Sequence, residues 1–145
     1  MNHYKEVNDI LVSLFHDIID VEEKAIISDE FKDISTNDMH IIEAIGVDSP
    51  KNMSTIAGVM RVTVGTLTIA INNLVKKGYV IRKRGEQDRR VVFLSLSEKG
   101  RKAYEHHMLF HHEMTEAILK RLDEQEICVL MKALNNIREY FKIED

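Results

Sequence analysis

The stretch Thr63-Val64-Gly65-Thr66-Leu67-Thr68-Ile69-Ala70-Ile71-Asn72 combines the groups needed to grip a polyanion and to read what lies behind it. As the first turns of a helix it offers Thr63, Val64, Gly65, Thr66, Thr68 and Ile69, with Asn72 one turn on. Threonine hydroxyls bond phosphates or base edges, and their methyl groups can touch thymine methyls. Gly65 allows close backbone approach. Asn72 carries the donor and acceptor for a bidentate pair with adenine, and the helix start itself favours a phosphate. Threonine is a mediocre helix former, so three of them in six positions call for a reason beyond helix stability. The plainer alternative is that they are ordinary exposed helix residues.

A second group is Asp88-Arg89-Arg90, between two segments of strand-like alternation. A long cationic side chain on a narrow hairpin can enter a minor groove, where the potential is most negative over A·T tracts. Asp88 would hold a guanidinium in a bidentate pair and set its direction; the alternative is a surface ion pair that contributes little. Both groups lie in a basic segment. Residues 53–102 hold eleven Lys and Arg against three Asp and Glu, a net of +8, whereas the other 95 residues hold nine against twenty-one, a net of −12. A basic middle flanked by acidic ends is the electrostatic footprint of a nucleic-acid-binding module, although a solvated charged face would have the same composition.

The elements that must position these groups follow from periodicity. Tyr4, Val7, Leu11, Leu14, Ile18, Val21 and Ala25 recur at alternating spacings of three and four, an apolar stripe on a long helix. Ser35 precedes a short helix from Thr36 to about Gly46, and residues 47–51 read as a loop. Asn52 caps a helix containing Ile56, Ala57 and Met60, Arg61-Val62 form a tight connection, and Thr63 caps a helix from Val64 to Lys77 that Gly78 closes. Two short helices on a tight turn fit a helix-turn-helix. Residues 79–84 and 91–96 then read as a hairpin with a charged tip. Ser97 starts a helix from Glu98 to about Leu122, and Ile127, Leu130, Leu134, Ile137 and Phe141 mark a last one. The end helices carry more apolar stripe than a domain of this size needs. A second copy across a two-fold axis is the expected cover, with a monomeric bundle as the alternative.

Composition narrows the remaining classes. One cysteine excludes an intramolecular disulfide framework, and one proline with 44% hydrophobic residues argues for an ordered, mostly helical chain. No run of about 18 apolar residues is present, and the first residues lack the order of a signal peptide, so a reducing cytoplasm is expected. No Gly-rich phosphate loop, Gly-x-Ser-x-Gly motif or nucleophile with its base points to an enzyme. Cys128, among Ile127, Val129 and Leu130, is expected to pack.

The segment Asn52 to Lys102 resembles the MarR family of winged-helix repressors. Gly78-Tyr79-Val80 matches the end of that family's recognition helix, and Asp88 through Gly100 looks like its wing signature and following helix start. The resemblance implies a mainly α fold with a small β-wing: a dimerisation helix at 1–32, a winged helix-turn-helix at 33–102 and dimerisation helices at 103–145. It implies Thr63, Thr66 and Thr68 as recognition-helix contacts. Asp88 and Arg90 would be the wing pair, with Arg90 the better minor-groove candidate and Arg89 beside it. At Val64, Ile69 and Asn73, where many members carry arginine, this chain departs, which puts the operator sequence in question rather than DNA binding.

Phe31 to Ser35, Met39-His40, Val62 to Thr68, Asn72-Asn73-Leu74 and Gly85 to Val92 are similar to the branch of fatty-acid-synthesis repressors of Gram-positive bacteria. That implies a homodimer on a palindromic double-stranded operator, tightened by long-chain acyl groups on acyl carrier protein, with no resident cofactor and no membrane partner. An apolar effector pocket would draw on Phe15, Ile18, Ile19, Met39, His40, Phe110 and Met114, which can equally be core. Seven histidines leave an alternative. His107 and His111 have chelating i, i+4 spacing, and with His40 and Glu22 or Glu23 they resemble the site of a zinc-responsive repressor of the same family. That branch's cysteine is missing here. No bound metal is expected on the main reading.

Overall fold

A computed structural model describes residues 2–26 and 30–142. Residues 1, 27–29 and 143–145, which fall in the expected first and last domains, lie outside the described residues. The elements are α1 (Tyr4–Ile26), α2 (Thr36–Ile45), β1 (Lys51–Asn52), α3 (Met53–Met60), α4 (Val64–Lys76), β2 (Val80–Arg84), β3 (Val92–Leu96), α5 (Glu98–Leu119) and α6 (Glu124–Lys142). The fold is mainly α with a small antiparallel sheet, the winged-helix class expected. The chain divides into two compact units, Met1–Met108 and Leu109–Asp145.

In the first unit the helix starts are fixed by side chains at their caps. Ser35 Oγ accepts from the Asp38 amide at 3.1 Å and the Asp38 carboxylate accepts from the Ser35 amide at 3.1 Å, a reciprocal capping box. Asn52 Oδ1 accepts from the Thr55 amide at 2.8 Å, and Thr63 Oγ1 from the Thr66 amide at 3.1 Å. Each such cap contributes about 1 kcal/mol. The turn between α3 and α4 is tight because Arg61 takes the left-handed conformation at φ 56°, rare for a residue with a Cβ. At the other end of α4, Gly78 at φ 87° lets the Tyr79 amide reach back to Leu74 O (2.9 Å) and its own amide to Val75 O (3.1 Å). That Schellman closure turns the chain sharply into β2.

The sheet order is β1-β3-β2, with Lys51 opposite Leu94 and Arg82 opposite Leu94 on the other side. The sequence pattern predicts only the hairpin and places Lys51 in a loop. A two-residue strand shows no alternation, and only pairing with β3 defines it. The core beneath comprises Met39, Ile42 and Ile45 of α2, Ile56 of α3, Leu67, Ile71 and Leu74 of α4, and Leu94 of β3, all essentially inaccessible. Each such side chain stabilises by about 1.5–3 kcal/mol through burial. Met39, expected at a pocket wall, is one of these core residues: it sits on the inward face of α2 with Ile42.

Tyr79 locks the junction of the recognition helix with the wing. Its ring is buried, its hydroxyl donates to Asp33 Oδ1 at 2.6 Å, and Lys99 Nζ lies 4.4 Å from its ring centroid. The hydrogen bond from Tyr79, helped by Lys99 and Lys77, holds the Asp33 carboxyl below its usual range. Burial and the bond to Asp33 push the phenol well above its own. Ser97 N donates to Tyr79 O at 3.0 Å, and Gly100 follows so closely that a Cβ there would lie 2.1 Å from the same oxygen.

In the first unit, Val7, Leu11, Leu14 and Val21 of α1 are exposed. In the second, α6 starts on a reciprocal cap between Asp123 and Glu126 and buries no residue, leaving Leu134, Ile137 and Phe141 exposed. Cys128, expected to pack, is exposed on the same helix. Helix α5 ends at Leu119, a turn before the expected Leu122, in the short turn that precedes the Asp123 cap. No single helix among the described residues is long and apolar enough to cross a membrane.

Candidate nucleic-acid interface

Helix α4 buries Leu67, Ile71 and Leu74, which leaves Gly65, Ile69 and Asn72 on the opposite face by the 3.6-residue period, with Val64 and Thr68 at its margin beside the wing. Val64, Gly65, Ile69 and Asn72 are exposed and Thr68 is half-buried. The threonine hydroxyls are partly engaged within the helix. Thr63 Oγ1 caps the Thr66 amide and donates to Thr66 Oγ1 at 2.9 Å, and Thr68 Oγ1 donates to Val64 O at 2.7 Å. They hold the first turn in shape and keep acceptor capacity for an outside donor. Asn72 has a partner that sequence reasoning missed: an Arg82 guanidinium nitrogen, from β2, donates to its Oδ1. That bond uses one of the two lone pairs of Oδ1, so Asn72 keeps an acceptor site and both amide hydrogens for the expected pairing with adenine. A contact between residues ten apart, on different elements, leaves no periodic signal.

The hairpin tip closes through Gly85, whose amide donates to Val91 O at 2.8 Å; a Cβ there would lie 2.6 Å from Asp88 O. Arg90 and Asp88 form the expected pair. Arg90 Nε donates to Oδ1 at 3.2 Å, Nη2 to Oδ2 at 3.3 Å, and the Arg90 amide to Oδ1 at 3.0 Å. These bonds hold the Asp88 carboxyl below its usual range. The Arg90 side chain is 92% exposed, so the pair aims the guanidinium at solvent without burying it. Arg89 is exposed beside it, its carbonyl accepting from Arg84 Nη1 at 3.5 Å. Between wing and recognition helix runs a groove of about 350 Å³ walled by Asn52, Ser54, Val64, Thr68, Arg82 and Arg90. One side of this unit therefore presents a helix N-terminus, a groove of mixed polar and apolar lining and a cationic hairpin.

The sequence model of the family described as transcriptional regulator SarA/Rot matches residues 24–107, more than half of the chain. The chain belongs to the SarA/Rot family of transcriptional regulators. The crystal structure of Streptococcus pneumoniae FabT in complex with DNA is 39% identical and superposes with a TM-score of 0.93, covering 98% of this chain and 99% of that one. YpoP of Bacillus subtilis, an HTH-type transcriptional regulator, is 27% identical over 109 residues, 73% of this chain and 75% of that protein. A MarR transcriptional regulator from Methanosarcina mazei shares the fold, with a TM-score of 0.71 at 23% identity over 96% of this chain and 99% of that one. The family and these relatives are transcriptional regulators, not enzymes.

In this SarA/Rot family member the remaining candidate residues are placed as follows. Phe15, Ile18 and Ile19 are exposed on α1, and a cavity beside His40 is walled by Glu43, Ala44, Val59 and Met60. Phe110 and Met114, both half-buried, belong to the second unit. His40 Nε2 bonds the Glu22 carboxylate at 2.8 Å, while buried His107 places Nε2 3.2 Å from Glu43 Oε2 and 3.8 Å from Glu22 Oε1. These contacts staple α1, α2 and α5 within the first unit and give both histidines carboxylate partners. His111 follows one turn later on α5.

Proposed function

We propose that this chain is a sequence-specific double-stranded-DNA-binding repressor. It acts as a homodimer on a palindromic operator of fatty-acid-synthesis genes, with a long-chain acyl group on acyl carrier protein as corepressor. The observation that carries the reading is the 39% identity, over 98% of this chain, to FabT in complex with DNA. The exposed groups of α4 and the aimed Arg90 guanidinium supply the means. Helix α4 enters the major groove by its first turns while the wing reaches the neighbouring minor groove. The uncovered stripes of α1 and α6 support dimerisation, which sets two recognition helices roughly 34 Å apart, one helical turn of DNA. The acyl corepressor rests on the resemblance of residues 31–35, 62–68 and 85–92 to that repressor branch.

The test is fluorescence anisotropy on duplexes from the protein's own promoter and a fatty-acid-synthesis promoter, with chelator present. Titrations run with and without long-chain acyl-acyl carrier protein. Binding that tightens with the acylated carrier is expected. Binding unchanged by the carrier and restored only by zinc would replace the acyl reading with a metal one at His40, His107 and His111.

A further inference from the structure

We propose that Val64 and Ile69 select the operator by apolar contact with thymine C5 methyl groups in the major groove. This rests on the DNA-binding reading above and names what the recognition helix reads.

Three observations carry it. First, Val64 in the first turn of α4 and Ile69 in the second are 45% and 69% exposed, while the inward face is already filled by Leu67, Ile71 and Leu74. An exposed branched aliphatic adds nothing to that core and is a poorer helix former than alanine or lysine. Second, several polar groups of the helix are already partly engaged. Thr68 Oγ1 donates to Val64 O, the Thr63 and Thr66 hydroxyls bond each other, and Asn72 Oδ1 accepts from Arg82. Third, α4 holds no arginine or lysine before Lys76 in its last turn, so its first turns have no bidentate guanine reader. Among the groups that unmodified base pairs show in the major groove, the thymine methyl is the apolar one. A helix that presents branched aliphatics there discriminates by burying that methyl. The basic segment around it supplies attraction to the phosphates without regard to sequence.

The experiment uses the full chain. A duplex is first selected from a random library by rounds of binding and amplification. In the tightest sequence each thymine of one half-site is then replaced singly by uracil, which removes the methyl and leaves every hydrogen-bonding group in place. Affinities are measured for the wild type, Val64→Ala and Ile69→Ala. One or two positions are expected to lose about fourfold per methyl removed. At those positions the preference for thymine over uracil collapses towards unity in the matching alanine variant. Both substitutions raise helix propensity, so the fold survives them. Equal affinity for thymine and uracil at every position overturns the proposal while leaving DNA binding intact. A thymine preference that persists undiminished in both variants also overturns it and moves the reading to the threonine methyls. Failure to select any duplex overturns the DNA-binding reading itself.

Discussion

Gly58 and Gly100 both sit inside helices, and helix propensity alone gives both the same response to alanine: a gain of about 0.5–1 kcal/mol. The structure separates them. A Cβ at Gly58 meets nothing within 4 Å, whereas one at Gly100 would lie 2.1 Å from Tyr79 O and 3.2 Å from Leu96 Cβ. Carbon–oxygen contacts settle at about 3.3 Å, so Gly100→Ala demands a retreat of roughly 1 Å between α5 and a backbone oxygen. That oxygen cannot swing away, since it accepts the Ser97 amide at 3.0 Å. Overpacking of this kind costs about 1–3 kcal/mol, and weakening the Ser97 bond adds about 1 kcal/mol. Less the propensity gain, a net loss of about 2 kcal/mol lowers Tm by roughly 6 °C for a chain of this size. Gly58→Ala raises Tm by about 2–3 °C. Thermal unfolding followed by circular dichroism measures both, at one matched protein concentration because association shifts Tm. A Gly100→Ala variant as stable as the wild type, or two glycines shifting in the same direction, would refute the reasoning.

Further outcomes are expected at the wing pair, at the Tyr79–Asp33 bond and at Gly65. Arg90→Ala lowers duplex affinity and reduces the slope of log affinity against log salt by about one, measured by anisotropy from 50 to 300 mM salt. Asp88→Asn costs less, and because the bonds from Arg90 depress the Asp88 pKa, its ratio to the wild type stays constant down to about pH 5 and shrinks only as acid protonates the wild-type carboxyl. Tyr79→Phe, which deletes the 2.6 Å bond to a half-exposed Asp33, destabilises by about 1 kcal/mol in urea titrations. The lowered Asp33 pKa gives stability that is present above about pH 4 and lost as pH falls through the folded value, so Asp33→Asn flattens the acid limb. The raised Tyr79 pKa gives stability lost above about pH 10, where the unfolded phenol ionises first, and Tyr79→Phe flattens that limb. Gly65→Ala leaves Tm unchanged or slightly higher, since the new Cβ finds only Thr63 Oγ1 at 3.9 Å, yet weakens duplex binding several-fold by blocking backbone approach.

Much of this was legible in the sequence where the signal is local. Ser35, Asn52 and Thr63 each cap the helix their position predicts, Gly78 closes α4, and the Asp88–Arg90 pair is two residues apart. Signals between elements were not legible. The Asp33–Tyr79 bond spans 46 residues and Arg82–Asn72 joins a strand to a helix, so neither follows any period. Lys51 and Asn52 become a strand only because β3 lies beside them. For Met39 the sequence leaves pocket and core equally open, because an apolar residue at helical spacing looks the same whether it lines a cavity or fills the core. Cys128 was assigned to packing because apolar neighbours in sequence say nothing about which face of α6 is covered.

Hydroxyl-radical footprinting of the full chain on a selected duplex tests the central claim most directly, that the α4–wing face docks on DNA as a pair. The account predicts two protected half-sites centred about one helical turn apart. Each should be flanked by a protected minor-groove segment that disappears with Arg90→Ala. A single protected half-site, or flanking protection that survives the loss of Arg90, would contradict it.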